Sequence, residues 1–337
     1  MARRRTSLAR GGRGSQLGLG RATRAVAELC DAGLDSVAFR QQLRAQLARV
    51  VPFDAYCVNT VDPESLLVTS SIGDGLSANA ARRLFELEDA ETDFNHLRQL
   101  ARGPVHVASL SQATDGCVER SQRMRELFLP RGWRDELRAA LVVDGHCWGY
   151  LHLFRAAPRA PFGVQAVSRV EQLRARLGAA LRAACVVGAS SVARRAPGVL
   201  LLDQHGALVG ESETARGWLQ GFESDVGQPL PHAIHAVGAH ARAQSAASAR
   251  YRSPSGSWLT FNGAAVGAGV ALLVNASPGR ELLPLLFLAH GLTPREREVG
   301  ALVLGGHSNE DIAAELGISL HTAKDHLKAI FRKCGVA

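Results

Sequence analysis

Between residues 23 and 49 the apolar side chains, Val26, Leu29, Leu43 and Leu47 among them, recur every three or four positions, the period of helices packed on one face. The period then shortens. "AYCVNTVD" and "LLVTSSIG" alternate or run apolar like strands and are parted by the turn-former Pro63. A helical stretch over roughly 77–101 follows, then the strand-like "GPVHVASL", then "RAALVVDGHCWGYLHLFR", where Asp144-Gly145 divides two β-rich runs and predicts a hairpin. An amphipathic pattern over about 164–187 closes this unit. After a boundary at "SSVARRAP" come "GVLLLD" and "ALVGE" around the turn Gln204-His205-Gly206, helical segments near 212–221 and 229–247, a hairpin turning at 253–256, and "GVALLVNA" to about 276. Runs of strands with flanking helices predict antiparallel sheets, not the strand–helix alternation of a doubly wound fold. The expected class is multidomain α+β with an all-α end, and no internal repeat stands out.

The last 46 residues follow another pattern. Thr293 before Pro294, with Glu296 three residues after the cap, predicts a helix start, and Gly305-Gly306 its end. Ser308 or Asn309 caps "EDIAAEL", Gly317 permits a sharp turn, and Ser319 caps a third helix over about 320–333. Two helices joined by a short glycine-containing turn form a helix-turn-helix. On the third helix Ala323, Leu327, Ile330 and Phe331 are expected to pack on Ile312, Leu316 and Ile318, while His321, Asp325, Lys328 and Arg332 recur on the opposite face. Such a stripe suits a recognition helix in a major groove. Residues 294–316 hold two arginines against five carboxylates. Residues 317–337 hold Lys324, Lys328, Arg332 and Lys333 against Asp325 alone, so charge is polarised toward this helix.

With 46% hydrophobic and 21% charged residues, the 337-residue chain has the composition of a globular protein, and no apolar run is long enough to span a membrane. No signal-peptide core follows the N-terminal arginines, so the cytoplasm is the expected compartment and no membrane partner is expected. Residues 1–22 are expected to form a disordered basic arm, since seven arginines lie within the first 24 positions. The six cysteines, at 30, 57, 117, 147, 185 and 334, form no C-x-x-C pair, and His232, His235 and His240 do not share one helical face. No metal, cofactor or catalytic motif is expected. Cys57, Trp133, Asp135 and Trp148 are candidates for lining a ligand pocket in the first domain.

"LTPREREV", "SNEDIAAELGIS" and "HTAKDHLKAIFRKCGV" resemble the DNA-binding domain of the LuxR family of bacterial transcriptional regulators. "FDAYCVNTVDPESLLVTSSIGDG" and "DELRAALVVDGHCWGYLHLFR" resemble a GAF-like sensory domain, and residues 197–276 more weakly a PAS domain. The resemblance implies a GAF-like domain over 23–190, a PAS-like domain over 197–276, a linker helix over 277–291 and the helix-turn-helix over 292–337. It further implies promoter DNA as partner, a small-molecule signal and a homodimer. Lys324 and Lys328 are then expected to approach DNA, with Thr322 and Arg332 on phosphates. Asp325, which phosphate repels, has a base edge as its only attractive target. The family pattern continues past Gly335-Val336 into a fourth helix, so a fragment, dimerisation through the sensory domains, or an impaired DNA-binding module all stay open. The rival reading is a small-molecule or thiol-redox GAF-type protein acting through Cys117 or Cys147 beside a non-functional DNA-binding module.

Overall fold

The computed structural model describes residues 8–74, 76–90, 92–187, 196–219, 230–253 and 256–336. The chain divides into two compact units, Met1–Ala276 and Ser277–Ala337.

The first unit holds two lobes. In the first, α1 (Leu8–Cys30) and α2 (Ser36–Val50) precede β1 (Ala55–Val61), β2 (Val68–Gly73), α3 (Ala78–Asp89), α4 (Leu97–Arg102), β3 (Val107–Ser109) and α5 (Leu110–Ala113). The long strands β4 (Trp133–Val143) and β5 (His146–Ala156) and the helix α6 (Val164–Ala184) complete it. All strand pairs are antiparallel, in the order β2-β1-β5-β4-β3. Asp144 and Gly145 both take positive φ, 49° and 77°, as the hairpin between β4 and β5 requires. On one face α6 lies close to the sheet because Gly178 has no side chain: a Cβ there would stand 2.7 Å from the Leu141 carbonyl oxygen.

α1 begins at Leu8, within the stretch expected as a disordered arm; residues 1–7 lie outside the described residues. Glycine-rich sequence is a poor helix former alone. The end of α1 is packed, with Ala22, Val26 and Ala27 buried, and α1 lies against α2 and α6.

The second lobe contains β6 (Gly198–Leu202), β7 (Leu208–Glu211), α7 (Glu213–Leu219), α8 (His232–Gln244), β8 (Ala246–Arg252), β9 (Trp258–Val266) and β10 (Gly269–Ala276). Its sheet runs β7-β6-β10-β9-β8, the strand order of the first sheet repeated. Most of the boundary expected at 190–197 and part of the helix expected over 212–221 lie outside the described residues. The lobes share one apolar core in which Leu66, Leu97 and Tyr150 join Leu200, Ile234 and Phe261. Arg250 on β8 ties them further: Nε donates to Asp62 Oδ2 at 2.8 Å and Nη2 to Asp62 Oδ1 at 2.7 Å, while Nη2 also reaches Glu64 at 2.9 Å.

The second unit is all helical: α9 (Gly279–Ala289), α10 (Pro294–Leu304), α11 (Asn309–Glu315) and α12 (Leu320–Cys334). Phe287 on α9, within the expected linker, packs against the core of Leu292, Val299, Ile312, Ala323, Leu327 and Ile330.

Candidate DNA-binding helix and signal cavity

Local chemistry places α12. Thr293 and Glu296 close a capping box at the start of α10, with Pro294 as the first helical residue, and Ser308 and Asp311 close a second at α11. Gly317, at φ 62°, turns the chain, and the Ser319 hydroxyl accepts from the Thr322 amide at 3.0 Å to start α12. Three bonds of longer sequence reach hold this unit together. Arg295 Nη2 donates to the Leu316 carbonyl at 2.6 Å, and Lys333 Nζ donates to Glu296 at 2.6 Å and to the Gly291 carbonyl at 3.1 Å. Burial opposes charge on Glu296, but Lys333 and the cap bonds outweigh it and hold the carboxyl below its usual range.

Ala323, Leu327 and Ile330 face the core, and Cys334 packs against it. Phe331, expected there too, is instead 44% exposed. At about 100° per residue it sits roughly 60° from the centre of that face, on the shoulder of the helix. His321, Lys324, Asp325, Lys328 and Arg332 are all exposed. The His321 ring lies 3.5 Å from Asp325 one turn on. Thr322 is half-buried, its hydroxyl 2.9 Å from that of Ser319. Lys333, by contrast, is taken out of the exposed cationic set by Glu296, a division that the charge pattern alone does not reveal.

In the first unit, a cavity of about 100 Å³ lies beside the first sheet and α3. Cys57 and Trp133 line it, together with Tyr150, His152 and Phe154 of β5, Phe128, and Ala81, Leu84 and Phe85 of α3. The second lobe contributes His232 and Ala236 of α8. Trp133 and Phe154 stack with centroids 4.4 Å apart, and His152 lies nearly parallel to Phe154 at 6.4 Å. Asp135 and Trp148 lie outside this lining. The Asp135 carboxylate is occupied by the amides of Ser111, Glu136 and Phe162 and the Ser111 hydroxyl, and burial pushes its pKa up. Trp148 is buried two positions before Tyr150. The alternation Tyr150, His152, Phe154 was open to a period-two reading of "YLHLF".

Behind His152 stands a buried ion cluster. Glu136, fully buried, accepts from Arg123 Nε at 2.9 Å, from Arg138 Nε at 2.7 Å and from His152 Nδ1 at 3.2 Å. Burial works against its charge, but the two arginines and His152 outweigh that and hold it well below the usual carboxylate range. Arg138 Nη1 also reaches Glu88 at 2.6 Å. At the cavity edge Asp89 is held by Arg98 at 2.6 Å and by His240 of α8 at 2.8 Å. His235, on the same helix, is buried with neither ring nitrogen bonded among the described residues. Burial lowers its pKa to about 4.

Helix caps, glycine turn and an exposed polar stripe on the second helix of the pair define a helix-turn-helix DNA-binding domain. Residues 290–337 match the family described as GerE, bacterial regulatory proteins, luxR family, so this segment is a LuxR-type DNA-binding domain. Among solved structures, the VqsR LBD domain from Pseudomonas aeruginosa is similar at 17% identity over 50% of this chain and 94% of that one, with a TM-score of 0.32. The structure titled VqmA bound to DPO is similar at 18% identity over 42% of this chain and 81% of that one, with a TM-score of 0.20. Among the described residues, no helix is long and apolar enough to cross a membrane.

Proposed function

We propose that this chain is a cytoplasmic regulator that binds promoter DNA as a homodimer through α12 and is controlled by a small molecule in the first-lobe cavity. In this reading the two lobes are GAF-like and PAS-like sensory domains. Lys324 and Lys328 approach the DNA, Thr322 and Arg332 meet phosphate, and His321 and Asp325 face base edges. The supporting observation is the sorting of cations on α12: Lys328 and Arg332 stand exposed while Lys333 is spent on Glu296. Control reaches the second lobe because α8 forms part of the cavity wall and holds Asp89 through His240. A ligand that fits one arrangement of that wall better shifts the population of the DNA-competent state.

The thiol-redox alternative draws little support from Cys147, whose buried thiol is pushed up to about 12, far from a reactive thiolate. Selection from a random oligonucleotide pool tests the main reading. The wild type should recover a two-fold symmetric motif, and Asp325→Asn should shift the preferred base toward adenine, which an amide reads at N6 and N7. No enriched motif would overturn the reading. An identical motif from both proteins would remove Asp325 from base contact.

A further inference from the structure

The cavity walls narrow what the signal can be, an inference that rests on the reading of this cavity as the signal site. Its charged groups are already paired. Glu88 is bound by Arg138, Asp89 by Arg98 and His240, and Asp74 by Arg44. An anion entering the cavity meets three carboxylates and no uncommitted cation, and a cation meets no uncommitted carboxylate. Either would give up its hydration without a counter-charge.

Apart from Asn59, Ser71, Tyr150, His152 and His232, the remaining surface is mainly aromatic and apolar, with Trp133, Phe154, Phe128, Leu84, Phe85 and Ala81. His152 is a lining polar group whose bonding leaves an acceptor over, as does Asn59, whose side-chain amide nitrogen alone is bonded among the described residues, to Ser71 and Cys57. Its Nδ1 faces Glu136, a carboxylate that also accepts from two arginine Nε–H groups and is therefore ionised, so Nδ1 carries the hydrogen and donates. The neutral ring then keeps a lone pair on Nε2, which no described residue engages. Burial favours that neutral form, with Glu136 pulling the other way. At about 100 Å³ the space is near the scale of the ~150 Å³ engineered cavity that admits one benzene ring.

We propose that the cavity takes a neutral, flat, single-ring molecule that donates one O–H or N–H hydrogen bond to His152 Nε2.

Phenol, anisole and benzoate probe the three requirements on the full-length chain, by calorimetric titration and thermal shift. Phenol should bind at millimolar concentration, anisole about tenfold more weakly because its oxygen donates nothing, and benzoate not measurably. His152→Phe, which keeps the ring shape and removes the acceptor, should bring phenol down to the level of anisole. Ala81→Leu, which fills the space, should abolish phenol binding. Benzoate binding as tightly as phenol, equal affinities for phenol and anisole, or phenol binding undiminished in Ala81→Leu would each overturn the proposal. If His152→Phe does not fold, the three wild-type affinities decide it alone. A gel shift with the selected DNA runs alongside. Failure of the phenol series with DNA binding intact sinks the ligand class and leaves the regulator reading standing. Phenol binding that leaves DNA affinity unchanged upholds the ligand class and sinks the coupling.

Discussion

In the first lobe the fully buried Glu136 is shared by Arg123 and Arg138, and Glu88 reaches Arg138 across 50 residues of sequence. In the C-terminal unit the buried carboxylate Glu296 closes a box with Thr293, three residues away, and adds one bond to Lys333. The first lobe thus stakes its core on several charges that must all be present, because a buried charge whose partner is removed keeps its desolvation cost. The DNA-binding unit is assembled from caps and turns worth about 1 kcal/mol each, which fail singly and mildly. The first arrangement is rigid around its cavity and sensitive to any missing member. In the second, each cap or turn can be lost at modest cost.

Glu136→Gln should break this contrast most severely. It leaves two buried guanidinium groups undercompensated and should cost about 3–5 kcal/mol in denaturant unfolding of the first unit. A loss below 1 kcal/mol would show the cluster to be solvated and the contrast false. Acid should act next. His235 has a folded pKa near 4 against an ordinary 6.5, so below pH 6.5 the unfolded chain takes up a proton that the folded chain refuses. Stability is full above pH 6.5 and drains as pH falls toward 4, by on the order of 3 kcal/mol. Melting of the wild type and His235→Phe between pH 7 and 4.5 measures it. The variant should lose clearly less stability over that range, and parallel curves would remove His235 as the cause. Carboxylates such as Glu136, held below their usual range, add their loss only at lower pH.

Glu296→Gln is the smaller counterpart in the C-terminal unit. It weakens the cap and frees Lys333, and should cost about 1–2 kcal/mol in unfolding of that unit while leaving the first unit's transition in place. A loss as large as that of Glu136→Gln would erase the distinction.

The same contrast governs what could be read from sequence. Asp144-Gly145, Thr293-Pro294, Ser308 and Gly317 act on their immediate neighbours, so residue type alone predicted the hairpin, two helix starts and the sharp turn. The helix from residue 23 was legible in its apolar spacing, but its start at Leu8 was not, because the glycines and arginines before residue 22 carry no apolar period. Phe331 failed for a geometric reason: a spacing of four from Leu327 put it near the apolar face but on its shoulder. The repeated strand order of the two sheets left no mark in the residues, since topology can recur without side-chain identity. In the cavity, Cys57 and Trp133 were accessible to a search for apolar pockets, while Asp135 is spent on the amides of Ser111, Glu136 and Phe162. His152 was hidden because its role comes from Glu136 and, behind it, arginines at 123 and 138 whose convergence no local pattern announces.

The central claim is that α12 presents an exposed cationic stripe to DNA while Lys333, on the same helix, serves the fold. The most direct measurement compares Lys328→Ala and Lys333→Ala in titrations of the selected DNA across a range of salt concentrations. Lys328→Ala should lower the slope of log affinity against log salt by about 1 and weaken cognate and unrelated DNA by similar factors. Lys333→Ala should leave that slope unchanged and appear instead as lower stability of the C-terminal unit. Equal slopes for the wild type and Lys328→Ala, or a slope reduced by Lys333→Ala, would contradict the account.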